Sequence, residues 1–215
     1  MNKDNNNHEL QDTEHKILEA AEKEFLSKGF AGARTTTIAE AAGVTHAMLH
    51  YYFRTKAKLF DRVLTEKTKL LKEAIFKSTD DADVSLEETI RSIIDRHLDF
   101  IGANPELPRF MIEEIYNDQE RAHIFLEQIG IYAPLMIGAL QMKIDKAASE
   151  GKCRQVDART LMLDIASLNI FSFMAAPVVN VALEDLTADP DKFLAMRKKE
   201  NYDTIIRKLM PTPKD

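Results

Sequence analysis

The chain has 215 residues, of which seven are glycine, seven are proline, one is cysteine and none is tryptophan. A single cysteine cannot form an internal disulfide, and so few turn-forming residues disfavour a loop-rich or all-β protein. The content of 45% hydrophobic and 30% charged residues is ordinary for a globular protein that buries one good core.

The net charge of −6 is unevenly distributed along the chain. Residues 28–69 contain eight lysines or arginines and three acidic residues, a net charge of +5, which leaves −11 for the remainder. A basic segment on an acidic body is typical of a DNA-contacting module attached to a body with another role. Chance clustering on solvent-facing helices is the alternative that charge alone leaves open.

The first elements are predicted from apolar spacing and capping residues. The polar residues 1–11 have no apolar stretch and are predicted to be a disordered leader. Helix 1 is predicted over residues 13–28, with Ile17, Ala21 and Phe25 on one face and Gly29 as its stop.

Two short helices are predicted next, separated by a turn at Gly43. Thr35 is the predicted N-cap of helix 2, and Thr45 is the predicted N-cap of helix 3, which covers residues 45–52. Helix 4 is predicted to run from Thr55, another capping hydroxyl, to residue 78. Two short helices joined by such a turn form a helix-turn-helix, whose second helix enters the major groove of DNA.

The second half of the chain also shows helical periodicity. Helices are predicted over residues 86–103, 105–117, 119–149 with a bend at Pro134, 158–181 with a bend or break at Pro177, and 190–209. This gives an all-α protein of about nine helices, without a metal-spaced Cys/His cluster in its sequence. The apolar stretch 161–183 approaches the length of a membrane span, but it contains Asp164 and Asn169, so a buried core helix is the preferred interpretation.

One string carries a specific resemblance. Residues 29–60, GFAGARTTTIAEAAGVTHAMLHYYFRTKAKLF, resemble the DNA-binding domain of the TetR family of bacterial transcriptional regulators, through many spaced positions from Gly29-Phe30 to Leu59-Phe60. The resemblance implies a helix-turn-helix domain over residues 12–58 and an all-helical effector-binding and dimerisation domain over residues 59–215. It also implies a cytoplasmic, homodimeric repressor without a cofactor, released from a near-palindromic operator in double-stranded DNA by a small-molecule effector.

The resemblance also implies a set of DNA contacts in and around helices 2 and 3. They are Arg34, Thr35, Thr36, Thr45, His46, Ala47, Met48, His50, Tyr51, Tyr52 and Lys56. Thr35, Thr45 and Lys56 would contact phosphates, and His46, Ala47 and Met48 would form the base-reading edge. His50 stands where the family usually has tyrosine, and Ala47-Met48 replaces a common glycine-threonine pair. The base preference of relatives is therefore not transferable.

Residues in the same segment also have a purely structural interpretation. Five apolar residues are expected to form the core of the small domain instead of touching DNA: Ile38, Ala39, Val44, Leu49 and Phe53. Tyr52 fits either role. His46 and His50 lie four residues apart, as a metal-binding pair on a helix would, but without a third ligand nearby a polar surface contact is favoured.

The resemblance implies that the last two helices, 8 and 9, pair with those of a second copy to form the dimer interface. Helix 8 is also apolar on nearly all sides and needs partners on both faces. The interface candidates are Leu161, Ile165, Leu168, Phe171, Phe173 and Ala175 on helix 8, and Phe193, Met196, Ile205, Ile206 and Leu209 on helix 9. The alternative is that helix 8 is the central core helix of a monomer.

An effector pocket among helices 4 to 8 is a further implication of the resemblance. Its candidate lining residues are His97, Phe100, Met111, Tyr116, Met136, Asn169 and Phe173. Ordinary core packing is the alternative for each. A helical enzyme or a protein-binding adaptor are the competing functions. Against an enzyme, the sequence has no recognisable acid–base or nucleophile arrangement, and Cys153 has no evident histidine partner. The hypothesis of a protein-binding adaptor leaves the basic segment unexplained.

Overall fold

The computed structural model describes residues 2–76 and 83–210, and every regular element in these ranges is an α-helix. The helices are α1 (Asn2–Gly32), α2 (Thr35–Ala41), α3 (His46–Phe53), α4 (Lys56–Phe76), α5 (Leu86–Ala103), α6 (Leu107–Asn117), α7 (Gln119–Ser149), α8 (Ala158–Met174), α9 (Ala176–Ala182), α10 (Glu184–Thr187) and α11 (Pro190–Leu209). The all-α fold class is confirmed. The predicted helix 9 corresponds to α11, and the predicted end of helix 4 at residue 78 lies outside the described residues.

The chain divides into two compact units. The N-terminal unit comprises Met1–Lys69 with Phe110–Leu126, and the C-terminal unit comprises Leu70–Arg109 with Glu127–Asp215. The predicted boundary after residue 58 falls near the start of α4, and the division between these two units falls farther along the same helix, between Lys69 and Leu70. The segment from Phe110 joins the N-terminal unit because its residues pack there, with Phe110 against Phe60 at 6.0 Å between ring centroids.

The N-terminal unit is built on α1. Ile17, Ala21 and Phe25 are fully buried along one face, as predicted. The rings of Phe25 and Phe30 each meet Phe60 of α4 edge-on, with centroids 5.0 Å apart, a favoured aromatic geometry. This cluster fixes α4 against α1.

Both ends of α1 differ from the prediction. The helix extends to Asn2, where the sequence predicted a disordered leader. The reason is cooperativity: once the packed part is helical, each added residue gains a backbone hydrogen bond, even when its side chain is polar. At the other end, Gly29 has φ 65° and ψ 174°, so the helix changes direction at the predicted stop and continues to Gly32.

The C-terminal unit has its core between α5, α7, α8 and α11. Its fully buried residues include Ile90, Ile94 and Leu140. Four of the proposed dimer residues, Leu161, Ile165, Ile205 and Leu209, belong to this core and are not available to a partner. For these four residues the assignment was wrong. On α8 the reason is that a helix apolar on nearly all sides does not reveal from its sequence which side faces its own core.

The apolar segment after Ala158 is broken just ahead of the expected position. The predicted bend or break at Pro177 is found at residue 175: α8 ends at Met174, and α9 begins at Ala176 at an angle of 74°. Pro177 lies in the first turn of α9, where backbone N–H groups have no hydrogen-bond partner within the helix, so the missing N–H of proline costs nothing there. The chain therefore bends ahead of the proline. In the described ranges, only this bent pair, and no single helix, is long and apolar enough to be compared with a membrane span.

A chain of polar side chains crosses the C-terminal core. Asn201 Nδ2 donates to Asn169 Oδ1 at 2.8 Å, and Asn169 Nδ2 donates to His97 Nδ1 at 3.2 Å. All three side chains are buried, and burial lowers the pKa of His97 to about 4. The imidazole is therefore neutral in the folded protein at neutral pH.

This burial predicts a pH-dependent stability. Below its unfolded pKa of about 6.5, His97 takes up a proton when the chain unfolds, but the folded state does not until about pH 4. Its contribution to the free energy of unfolding should therefore be about 2 kcal/mol smaller at pH 5 than at pH 7.5. In urea unfolding at both pH values, H97Q should show a weaker pH dependence than the wild type. An equal pH dependence of the two proteins would contradict the assignment.

Candidate nucleic-acid interface

The helix-turn-helix is formed by α2, a turn and α3. Gly43 in the turn has φ 68°, a conformation that favours glycine. Ile38 and Ala39 of α2 and Leu49 and Phe53 of α3 are buried, which confirms their predicted role in the core. Val44 is half-buried. The two helices are therefore held by their inner faces, and their outer faces are left to solvent.

The outer face of α3 contains the predicted base-reading edge. His46, Ala47, Met48, His50 and Tyr51 are all exposed, with Tyr51 at 67% of its full area. Tyr52 is half-buried and meets Tyr51 edge-on, with ring centroids 5.6 Å apart. Five of the six predicted α3 contacts thus lie on one accessible surface, and Tyr52 lies at its margin.

Two of the three predicted threonine caps are confirmed. The Thr45 hydroxyl accepts a hydrogen bond from the Met48 N–H at 3.2 Å, and the Thr55 hydroxyl accepts from the Lys58 N–H at 3.1 Å. Thr35 is not a cap. The N-cap of α2 is Arg34, whose carbonyl accepts from the Ile38 N–H at 3.1 Å, so Thr35 is already the first residue of the helix.

The Thr35 hydroxyl instead links α2 to α3. It shares a hydrogen bond of 3.0 Å with His46 Nε2, which orients the first side chain of α3. The imidazole of His46 meets that of His50 edge-on, with ring centroids 4.5 Å apart, and His50 Nδ1 lies 3.0 Å from the Arg54 carbonyl oxygen. In the ranges that the structure describes, no group of three or more His, Cys, Asp or Glu residues is placed to hold a metal ion.

Lys56, predicted to contact a phosphate, holds the turn between α1 and α2 in this structure. Its Nζ donates to the Ala33 carbonyl at 2.8 Å, reaches the Ala31 carbonyl at 3.5 Å, and lies 4.6 Å from the centroid of the Phe30 ring. Nothing in the sequence indicated this role, since the partners are backbone oxygens more than twenty residues away. Arg34 and Thr36 have exposed side chains beside this turn.

Two carboxylates also hold this turn, and neither was predicted to do so. The Phe30 N–H donates to Glu114 Oε1 at 2.9 Å, and the Arg34 N–H donates to Glu24 Oε1 at 3.2 Å. Burial raises the pKa of Glu24, but hydrogen bonds from Lys28 and the Arg34 N–H outweigh it, so the pKa is lowered overall. The Glu24 carboxylate thus remains an ionised acceptor for the Arg34 N–H, and Glu114 supplies the acceptor for the Phe30 N–H.

Comparison with known proteins agrees with this geometry. The profile of bacterial regulatory proteins of the tetR family matches residues 17–63, the segment that includes α2, the turn and α3. Over this segment, 47 of the 215 residues, the chain resembles the tetR family. Among curated relatives, the transcriptional repressor SCO4008 of Streptomyces coelicolor is 38% identical over 102 residues, which are 47% of this chain and 49% of that protein.

Two further proteins resemble the chain. The transcriptional regulator TtgR of Pseudomonas putida is 41% identical over 56 residues, which cover 26% of this chain and 27% of that protein. The chain thus spans half or less of these two curated relatives. The structure of the TetR family regulator PfmR from Thermus thermophilus superposes with a TM-score of 0.65 at 21% identity, covering 89% of this chain and 97% of that chain. This likeness shows a shared fold.

The predicted effector residues are distributed over both units. His97 and Asn169 are buried in the polar chain of the C-terminal core, and Phe100, Met136 and Phe173 are half-buried in the same unit. Met111 is buried in the N-terminal unit. Tyr116, in that unit too, is 84% exposed, because α6 buries Phe110, Met111 and Glu114 on its opposite side.

A cleft of about 470 Å³ in the C-terminal unit is lined by different residues. It lies where the start of α5 meets the ends of α7 and α11, and its walls include Val84, Leu86, Lys143, Cys153 and Ile206. The thiol of Cys153 is half-buried there, and burial raises its pKa, which makes it a weaker nucleophile at neutral pH. None of the seven predicted effector residues lines this cleft.

The Glu114 contact generates a test of how the turn before α2 is held. E114A should lower the free energy of unfolding by about 1–3 kcal/mol, because the Phe30 N–H loses its acceptor. E114Q keeps an acceptor oxygen and should lose less. Urea unfolding would measure both, with E106A at the exposed glutamate just before α6 as the control. Equal losses in E114A and E106A would rule out the proposed role.

Proposed function

We propose that this protein is a TetR family repressor of transcription that binds DNA sequence-specifically, acts as a homodimer in the bacterial cytoplasm, on the nucleoid, and is released from a near-palindromic operator by a small-molecule effector. The observation that carries the proposal is the exposed N-terminal half of α3, held from behind by Leu49 and Phe53. This is the arrangement in which a helix presents its first residues to the major groove. We propose no enzymatic activity.

The chemistry around α3 supports binding to DNA. Basic side chains at Arg34, Arg54 and Lys58 are exposed beside the reading edge, where they would neutralise phosphates. Thr36 and Thr45 present further donors from the ends of α2 and α3. Ala47 and Met48 would offer apolar contact to thymine methyl groups, and His46 would offer a ring nitrogen to a base edge.

The C-terminal unit supports a homodimer. The side of α8 away from its own core exposes Leu163 and Phe171, and this surface continues over Met174 and Val178 towards Val181 of α9. Leu163 and Phe171 lie two turns apart on one helix face. A contiguous apolar surface of this kind is typical of a protein–protein interface, and a second copy of the same helices would cover it around a two-fold axis.

The effector response is a population shift between a DNA-competent state and another state. We propose that the effector binds in the C-terminal unit, where His97 and Asn169 are the polar groups available to orient it. Because the Asn169 Nδ2 already donates to His97, an effector that accepted from this amide group would have to replace an existing hydrogen bond. Ligand binding would thereby alter the packing of α5, α8 and α11.

The test of DNA binding is a selection with the purified protein against random duplexes at moderate salt, where a palindrome should be enriched. H46A and M48A should then change which bases are preferred at particular positions. K58A should weaken binding to all duplexes alike, and it should reduce the slope of log affinity against log salt concentration by about 1. Uniform weakening by all three variants would show that α3 does not read bases. The absence of any binding at low salt would refute the proposed function.

A charged side chain placed in the proposed dimer surface should disrupt the dimer. F171D places a carboxylate in the centre of the proposed interface and should convert the dimer to a monomer in sedimentation equilibrium. M142D is the matched control, because Met142 on α7 is 69% exposed and Phe171 is 67% exposed. A wild-type monomer, or an F171D dimer as stable as the M142D dimer, would contradict the assignment of this surface.

A further inference from the structure

The turn between α3 and α4 is strained at Arg54. This residue has φ 61° and ψ −51°, and it has the one positive φ among the non-glycine residues that the structure describes. The Thr55 N–H donates to the Phe53 carbonyl at 2.6 Å, which closes a three-residue turn around Arg54. By its dihedral angles this is a γ-turn with positive φ, a conformation that is rare for a residue with a side chain because it is energetically unfavourable.

His50 holds both sides of Arg54. The His50 carbonyl accepts the Arg54 N–H at 2.9 Å, as in a regular helix, and the His50 ring contacts the Arg54 carbonyl oxygen at 3.0 Å through Nδ1. A carbonyl oxygen only accepts, so Nδ1 carries the hydrogen and donates it. This bond persists whether the ring is neutral or protonated, because Nδ1–H is a donor in both forms.

The strained turn sets the geometry between the reading helix and the rest of the N-terminal unit. Directly after it, Thr55 caps α4, and Lys56 reaches back to the Ala33 carbonyl at the start of α2. A change in the backbone at Arg54 would therefore move the end of α3 relative to α4. On the other side, the His50 ring meets His46, which is bonded to Thr35 of α2.

We propose that His50 is a positioning residue for DNA recognition, whose Nδ1–H stabilises the strained turn at Arg54 and thereby fixes α3 relative to α4. The exposed ring lies on the same surface as the base-reading edge, so a direct DNA contact is the competing role. The proposal rests on the proposed function, since positioning matters only if α3 reads DNA. Asparagine at this position would place an amide donor close to the position of Nδ1, whereas alanine would remove the donor.

The test compares four variants on the palindromic duplex that the selection enriches. H50A should bind about tenfold more weakly than the wild type, and H50N should bind nearly as well. R54G accommodates a positive φ without strain, so it should make the His50 donor unnecessary. The H50A/R54G double variant should therefore bind as tightly as R54G alone, which also controls for the loss of the arginine charge. If H50A weakens binding by the same factor in the R54G background as in the wild type, His50 contacts DNA directly and the proposal is wrong.

A second measurement does not depend on DNA. Amide hydrogen exchange at Thr55, whose N–H closes the turn, should be about tenfold faster in H50A than in the wild type and unchanged between R54G and H50A/R54G. Unchanged exchange at Thr55 in H50A would overturn the proposal even if DNA affinity fell. If the wild type bound no duplex, the proposed function would fail, and the exchange rates would still decide whether His50 stabilises the turn.

Discussion

Leu49 and Phe53 determine what α3 can present to a partner, because both side chains are buried and lie one turn apart on the same side of the helix. With about 3.6 residues per turn, Ala47, Met48 and Tyr51 then point away from the core, and His50 and Tyr52 lie on the two flanks. His46, the first residue of α3, lies on the side that faces α2. This explains why Tyr52 is half-buried and why His46 can reach Thr35 across the gap to α2.

Such an orientation needs support from outside the two short helices. The seven residues of α2 and the eight of α3 are too few for either helix to be stable alone in water. The structure supplies the support at the turn before α2, where Glu24, Lys56 and Glu114 bind backbone groups between Phe30 and Arg34. These contacts come from α1, α4 and α6. A reading edge on a rigid scaffold loses less entropy on binding than a flexible one.

The sequence predicted the parts of this arrangement that depend on local chemistry. The apolar face of α1, the Thr45 and Thr55 caps and the inner residues of α2 and α3 follow from helical spacing and hydroxyl positions. The contacts of Lys56 and Glu114 did not follow, because each joins a side chain to a backbone group distant in sequence. The cap of α2 was placed one residue late, since three consecutive threonines offer hydroxyls but do not say which carbonyl accepts first.

For α8 the limit was different. Its sequence is apolar on nearly every side, so periodicity could not separate the residues of its own core from those on the outer face. The separation depends on Asn169, whose amide bonds both His97 of α5 and Asn201 of α11. A buried amide that rotated out of this position would lose its hydrogen bonds without gaining water, so the rotation of α8 about its axis is fixed. Leu163 and Phe171 are exposed as a consequence, and the outer apolar surface is therefore determined by a polar contact on the opposite side of the same helix.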